Sequence, residues 1–243
     1  MGSEYRDYVG LWRTYCSVFL ILVCMSYVKA GESVVLLHGL ARTDRSFSKM
    51  ETALVDAGYD VVNFGYPSRS NDIETLAEEV IPKALSQVKA GNQIHFVTHS
   101  MGGILIRQYL GKKPIENLGR VVMLGPPNKG SQVVDKLQDV PGFELINGPA
   151  GMQLGTGEMS VPSQLGPANF EVGIVAGTRS INLILSTMLP SPDDGKVSVE
   201  NTKLEGMADH IEVPVAHPFL MTNQRVIDQV IRFLETGKFD KEE

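Results

Sequence analysis

Cysteine is nearly absent. Of 243 residues only Cys16 and Cys24 carry a thiol, and both fall within the first 30. No disulfide framework, metal–thiolate site or cysteine nucleophile can therefore be drawn from the rest of the chain. Positive charge is also scarce, with 22 Lys and Arg against 28 Asp and Glu. The resulting net charge of −6 argues against a nucleic-acid partner, whose binders carry a basic face, and removes any bulk attraction to anionic lipid. Internal repeats and low-complexity tracts are missing as well. The one sustained apolar run, "SVFLILVCMSYV" at 17–28, is about 12 residues long, short of the roughly 20 that span a bilayer.

That run is framed in a recognisable way. Arg6 and Arg13 precede it and "VKA" at 28–30 follows it, with Val28 and the small Ala30 in place for a cut. Basic region, short apolar core and small-residue site form the order of a secretory signal. The expectation is a signal peptide over 1–30, a mature chain starting at Gly31, and export to a periplasm or the medium. An uncleaved signal anchor through 17–28, which would hold the protein at a membrane, and a buried first helix are the other readings. A lipoprotein signal ending at Cys24 fits less well, because Val23 stands where such sites carry a small residue. Removing residues 1–30 takes away three basic and two acidic side chains and leaves 19 against 26, a charge of −7.

With 43% hydrophobic and 21% charged residues, the chain has the composition of a globular protein. Residues 31–243 are enough for one good-sized domain with a real core, not for two. Short apolar runs alternate with amphipathic stretches from Glu32 onward, the pattern of βαβ units and a mostly parallel sheet. Strands are predicted at 34–39, 60–65, 94–99, 121–125, 171–177 and 211–216. Their near-continuous Val, Ile and Leu implies burial on both faces. Helices are predicted between them at 46–57, 71–91, 103–111, 131–138 and 222–236. In the second, Leu76, Val80, Ala84 and Val88 recur every four residues, Asn71 or Asp72 can cap the start, and Pro82 can kink it. From Val140 to Asn169 no apolar period appears, which predicts a functional flap or a mobile linker.

The chemistry centres on "FVTHSMGG" at 96–103. A serine hydroxyl is a poor nucleophile until it is presented and deprotonated. Small residues two before and two after it let the chain turn sharply from strand to helix and leave the serine exposed at the sheet edge. Gly102 meets that need. Thr98 meets it less easily, since its branched Cβ crowds the helix. A serine that merely caps the following helix is the plain alternative. "LLHGL" at 36–40 ends the first strand in a turn that can aim the Leu40 amide at the same point as the Met101 amide, giving a two-donor oxyanion hole. His38 reads as part of that turn. An acid follows in "PSPDDGKVSV", where Asp194 is favoured over Asp193, and a base follows in "VPVAHPF", where His217 comes directly after a strand. His210 begins that strand and belongs at the opposite edge, and His95 and His99 suit structural roles.

"VVLLHGLART", "VTHSMGG", "GPPNKGS", "DDGKV" and "AHPF", in that order and at element ends, resemble a bacterial lipase or esterase of the α/β-hydrolase superfamily over about residues 32–236. The resemblance implies an α/β-hydrolase fold of about six mostly parallel strands, helices on both faces and a minimal cap. It also implies Ser100 as nucleophile, Asp194 as acid, His217 as base, and the Leu40 and Met101 amides as oxyanion donors. "GPPNKGS" would shape the acyl side of the pocket, or simply cap a helix with Ser131. The expected activity is hydrolysis of carboxylic esters, of lipids or other acyl esters, with no cofactor. An acyltransferase or thioesterase with the same triad, and a non-catalytic binding protein of the same fold, are the alternatives. The stretches 140–169 and 184–190 are expected to overhang the site with apolar side chains and to allow contact with a membrane surface. "PDDG" lacks the spaced oxygen ligands of a calcium loop, so no metal is assigned.

Overall fold

The computed structural model describes residues 31–241. The leader, with Cys16, Cys24 and the run 17–28, lies outside them. Six strands form one sheet: β1 (Glu32–Leu37), β2 (Asp60–Phe64), β3 (Gln93–His99), β4 (Leu118–Leu124), β5 (Val172–Gly177) and β6 (Asp209–Val213). Their order across the sheet is β2-β1-β3-β4-β5-β6, and every neighbouring pair is parallel. Parallel neighbours need long crossovers, which is where the predicted helices fall. These are α1 (Ser48–Asp56), α2 (Ile73–Leu85), α3 (Met101–Leu110), α4 (Gln132–Leu137) and, after β6, α9 (Gln224–Thr236).

Alternation along the strands divides the core in two. Val35 and Leu37 of β1 pack with Leu76, Val80 and Ile81 of α2 and with Ile104 and Leu105 of α3. Val34 and Leu36, one residue out of step, pack on the other face with Met50 and Leu54 of α1 and Val226, Ile227, Val230, Phe233 and Leu234 of α9. The α9 residues repeat at helical spacing, so one stripe faces the sheet. Asp72 caps α2, its carboxylate accepting from the Thr75 amide at 2.7 Å. Pro82 lies in the last turn of α2, which runs three residues past it.

The stretch 140–169 is not a linker. It folds into α5 (Phe143–Met152) and α6 (Val161–Gln164). The apolar period is invisible there because α5 breaks at Gly148, with φ of 68°, and each half is too short to repeat. A Cβ at Gly148 would stand 2.3 Å from the Arg69 carbonyl oxygen, so the break is fixed by glycine. Two more single-turn helices, α7 (Leu183–Ser186) and α8 (Val199–Thr202), lie between β5 and β6.

Sheet order places the site. From β1 the chain steps outward to β2, then returns across β1 to β3, so the crossovers after β1 and β3 leave in opposite directions. In open α/β sheets ligands bind in the crevice at the carboxyl ends of the strands where the order reverses. Here that crevice lies between the end of β1 at Leu37 and the end of β3 at His99.

Candidate active site

Ser100 stands between β3 and α3 with φ of 52° and ψ of −123°, a conformation that costs a non-glycine residue about 1–3 kcal/mol. Only Ala41 and Asn117 share positive φ among the described non-glycine residues, and Ala41 belongs to the neighbouring turn. The strain at Ser100 is held from several sides. Its amide donates to the Leu124 carbonyl at 2.9 Å, and its carbonyl accepts from the Gly103 amide at 3.0 Å.

The glycines after Ser100 explain how Thr98 is tolerated. A Cβ at Gly102 would stand 2.5 Å from the Leu37 carbonyl oxygen, so α3 crosses directly over the end of β1. Gly103 sits against Thr98 itself, and a Cβ there would meet Thr98 Oγ1 at 3.3 Å and Met123 Sδ and Pro126 Cβ at 3.2 Å. The room usually supplied before the serine is supplied here by a second glycine after it.

The turn after β1 is braced by His38. Its Nε2 accepts from the Tyr66 amide at 3.3 Å, so Nδ1 carries the proton and donates to the Gly39 carbonyl at 2.9 Å. The ring stacks on Tyr66 at 4.1 Å, and the Tyr66 hydroxyl donates to the His38 carbonyl. Burial lowers the His38 pKa and raises that of Tyr66, so both stay neutral and His38 serves the turn. Beyond it the Ala41 amide donates to Ser68 Oγ at 3.0 Å. Among the described residues no protein acceptor takes the amide of Leu40 or of Met101. Met101 is the first residue of α3, where a free N–H is expected.

Asp194 and His217 are joined. His217 Nδ1–H donates to Asp194 Oδ2 at 2.7 Å, which leaves the lone pair on Nε2. The other carboxylate oxygen accepts from the Lys196 and Val197 amides at 2.9 and 2.8 Å, and the His217 amide donates to the Asp194 carbonyl at 3.0 Å. Asp193 does different work: its Oδ1 accepts from Ser186 Oγ and the Gly195 amide, both at 2.7 Å, shaping the turn. His99 lies beneath the pair. Its ring centroid is 4.6 Å from that of His217, and its Nε2–H donates to the His217 carbonyl at 3.0 Å. Burial first, and then the neighbouring His217, drive the His99 pKa well below its ordinary value, so His99 stays neutral. His210 is at the start of β6, paired with Thr202 Oγ1 at 3.0 Å, and the Arg120 amide donates to His95 Nδ1 at 2.9 Å. Both lie toward the amino edge.

Ser100 and His217 open on one cavity of about 480 Å³, within the size range of small-molecule sites. The Ser100 hydroxyl makes no hydrogen bond among the described residues. Leu40 lines the same cavity, and Val133, Val134, Leu137, Phe143, Ile146 and Leu154 give it an apolar wall. Half of the expected overhang is therefore present, the part from Phe143 to Leu154. The 184–190 segment is absent from this wall. Ser186 ties α7 to the Asp193 turn, which holds the segment beside the acid instead of over the serine. Ser131 takes both of its expected roles, lining the cavity and capping α4 by accepting from the Val133 amide at 3.2 Å.

Three residues to which the sequence assigns no role also contribute. Arg107 of α3 is buried and donates to the Asn128 carbonyl at 3.0 Å, to Asn128 Oδ1 at 3.1 Å and to the Gly166 carbonyl at 2.9 Å. It pins the turn after β4, and burial lowers its pKa to about 10. Arg42 and Lys196 line the cavity. A lone cation in a loop has no spacing that could have revealed it. Among the described residues no group of three or more His, Cys, Asp or Glu is placed to hold a metal ion.

The model of the alpha/beta hydrolase family matches residues 34–215. Over 105 residues the chain is 29% identical to a Synechocystis protein named as a candidate non-heme chloroperoxidase, a match covering 40% of this chain and 37% of that one. It thus spans little more than a third of that curated relative. Among solved structures, a Bacillus licheniformis lipase in mature form superposes with a TM-score of 0.66 at 18% identity, covering 85% of this chain and 93% of the other. The Legionella pneumophila phospholipase PlaB superposes with a TM-score of 0.68 at 15% identity, covering 84% of this chain and 60% of that one. At such identities the likeness is one of fold.

Proposed function

The chain belongs to the alpha/beta hydrolase family, and on that premise we propose that it cleaves carboxylic esters through an acyl-enzyme on Ser100. The observation that carries this reading is the 2.7 Å Asp194–His217 pair facing the same cavity as a strained serine. His217 Nε2 takes the Ser100 proton as Oγ attacks the ester carbonyl carbon. The oxyanion is held by the Leu40 and Met101 amides, the ester C–O bond breaks, and the alcohol leaves with the proton from His217. Water, deprotonated by the same nitrogen, then attacks the acyl-serine and releases the carboxylic acid. Serine–histidine hydrogen bonds of this kind are often long before substrate arrives and tighten around it. No step calls for a cofactor.

The apolar wall suits an acyl chain, and a lipase and a phospholipase among the fold neighbours accord with lipid-derived esters. Leu145, Ile146, Leu183 and Ile184 are 86%, 62%, 77% and 72% exposed; we assign them to contact with a lipid surface. Export through residues 1–30 is part of the same proposal, and N-terminal sequencing of the mature protein should begin at Gly31. The test of the activity is a panel of nitrophenyl esters of rising chain length, run beside Ser100→Ala with fluorophosphonate labelling. Turnover and labelling that both vanish in the variant support the reading; a wild-type protein that does neither overturns it.

A further inference from the structure

The cavity wall carries two cations that acyl transfer does not use. Arg42 comes from the turn after β1 and Lys196 from the acid turn after β5, and both line the cavity with Ser100 and His217. Among the described residues neither has an ion pair or a side-chain hydrogen bond. Several cations elsewhere hold carboxylates, Lys89 with Asp60, Lys129 with Glu200 and Arg120 with Glu171, and those left unpaired among the described residues, such as Arg45 and Lys113, do not line this cavity. A chain with six more acidic than basic side chains has carboxylates to spare, yet none is set against this pair. Asp194, whose charge acts on Lys196, already serves the His217 ring and two backbone amides.

The two positive charges also act on each other. Desolvation lowers the Lys196 pKa first, Asp194 raises it, and Arg42 lowers it again; Arg42 likewise depresses His99. Both side chains are exposed at the cavity rim, where like charges still repel and a bound anion relieves that repulsion. Val133, Val134 and Leu137 of α4 and Phe143 and Ile146 of α5 make the larger apolar wall, whereas the cations come from the loops after β1 and β5, where only Leu40, Ala41 and Val197 add apolar surface beside them. A bound ester therefore has two unlike ends to satisfy.

We propose that this cavity takes an acyl ester or thioester whose leaving group carries a phosphate or similar anion, held between Arg42 and Lys196 while the acyl chain lies along α4 and α5. This substrate class rests on the acyl-transfer reading above. A guanidinium forks onto phosphate oxygens, and an ammonium supplies a second donor beside it. Two kinds of molecule present such a group: a glycerophospholipid, and an acyl thioester of coenzyme A.

Four soluble substrates separate the possibilities. Dihexanoylphosphatidylglycerol below its micelle concentration is compared with neutral dihexanoylglycerol, and hexanoyl-coenzyme A with the neutral hexanoyl thioester of N-acetylcysteamine. In the wild-type enzyme kcat/KM should favour the anionic member of at least one pair by about tenfold or more, as for a charge-assisted contact. The pair that shows it names the source. The preference should shrink at high ionic strength and fall to near unity in the Arg42→Gln, Lys196→Gln double variant. Because the readout is a ratio within each protein, a general loss of activity cancels. The wild-type and salt arms stand even if the double variant fails to fold. Equal kcat/KM within both pairs, or a preference that survives the double substitution, overturns the anion site and leaves the hydrolase standing. Cleavage of none of the four, by a protein that turns over nitrophenyl esters, overturns this proposal alone; only silence in the nitrophenyl and labelling test as well overturns the hydrolase.

Discussion

Strand β3 carries two histidines four residues apart, His95 near its start and His99 at its end. Both are buried to the same 2% exposure, and both rings accept or donate main-chain hydrogen bonds. Their surroundings differ in one respect. At the amino edge the Arg120 amide of the next strand takes His95 Nδ1, Glu32 stands 3.7 Å from Nε2, and β3 and β4 stay paired beyond a register shift between Ile94 and Phe96. At the carboxyl edge the chain turns at positive φ and a cavity opens. The loops beyond it bring a second imidazole against a carboxylate. A buried polar residue alone does not mark a site. A buried polar residue beside stored strain and open volume does.

The contrast between edges can be broken most sharply by activity. Ser100→Ala, His217→Ala or Asp194→Asn should each lower ester turnover by about 10⁴-fold, while His95→Gln and His210→Gln should stay within about twofold of the wild-type rate. Comparable losses at both edges would remove the distinction. Asp193→Ala belongs with the structural group: it should keep most turnover and cost about 1–3 kcal/mol of stability through the two donors it leaves unpaired, as read in urea denaturation.

Helix α3 offers the same comparison along its length. Gly102→Ala should cost more than about 3 kcal/mol in urea, because its Cβ would lie 2.5 Å from the Leu37 carbonyl oxygen and neither backbone can yield. Gly111→Ala at the far end has φ of −66° and a nearest contact of 3.4 Å, so it should be neutral or stabilise by up to about 1 kcal/mol.

The smallest effect is on pH. Burial is the chief cause of the lowered pKa values of His38, His99 and His210. The unfolded chain, with ordinary imidazoles near 6.5, then binds protons that the native state refuses. Stability from these groups is complete above about pH 6.5 and declines as the pH falls through that value. The melting temperature should be lower at pH 5.5 than at pH 7.5, and His99→Gln should flatten the dependence. A melting temperature that rises on acidification would contradict the neutral, buried assignment.

Much of this was legible in the sequence because parallel strands buried on both faces read as plain runs of Val, Ile and Leu, and the site loops follow directly from their ends. Ser100 could be named as a candidate because it directly follows β3, whereas Asp194 and His217, 17 and four residues beyond the ends of β5 and β6, are read from their turn motifs. Two kinds of information stayed hidden. Helix α5 is broken at Gly148, and a helix of two short halves leaves no period to detect. The positions of Arg42, Arg107 and Lys196 depend on which loops meet in space, which no local pattern encodes. Thr98 lies between these cases: its crowding was visible, but the relief given by Gly103 required the packing of α3.

The loops after β5 and β6 are stitched by a main-chain bond as well as by the acid–imidazole contact, with the His217 amide on the Asp194 carbonyl at 3.0 Å. Parting the main-chain bond therefore parts the side-chain contact too, so separation of the two loops and loss of the pair go together. On warming, each molecule should be either fully competent or silent, so that activity falls in a single step together with the loss of the sheet edge.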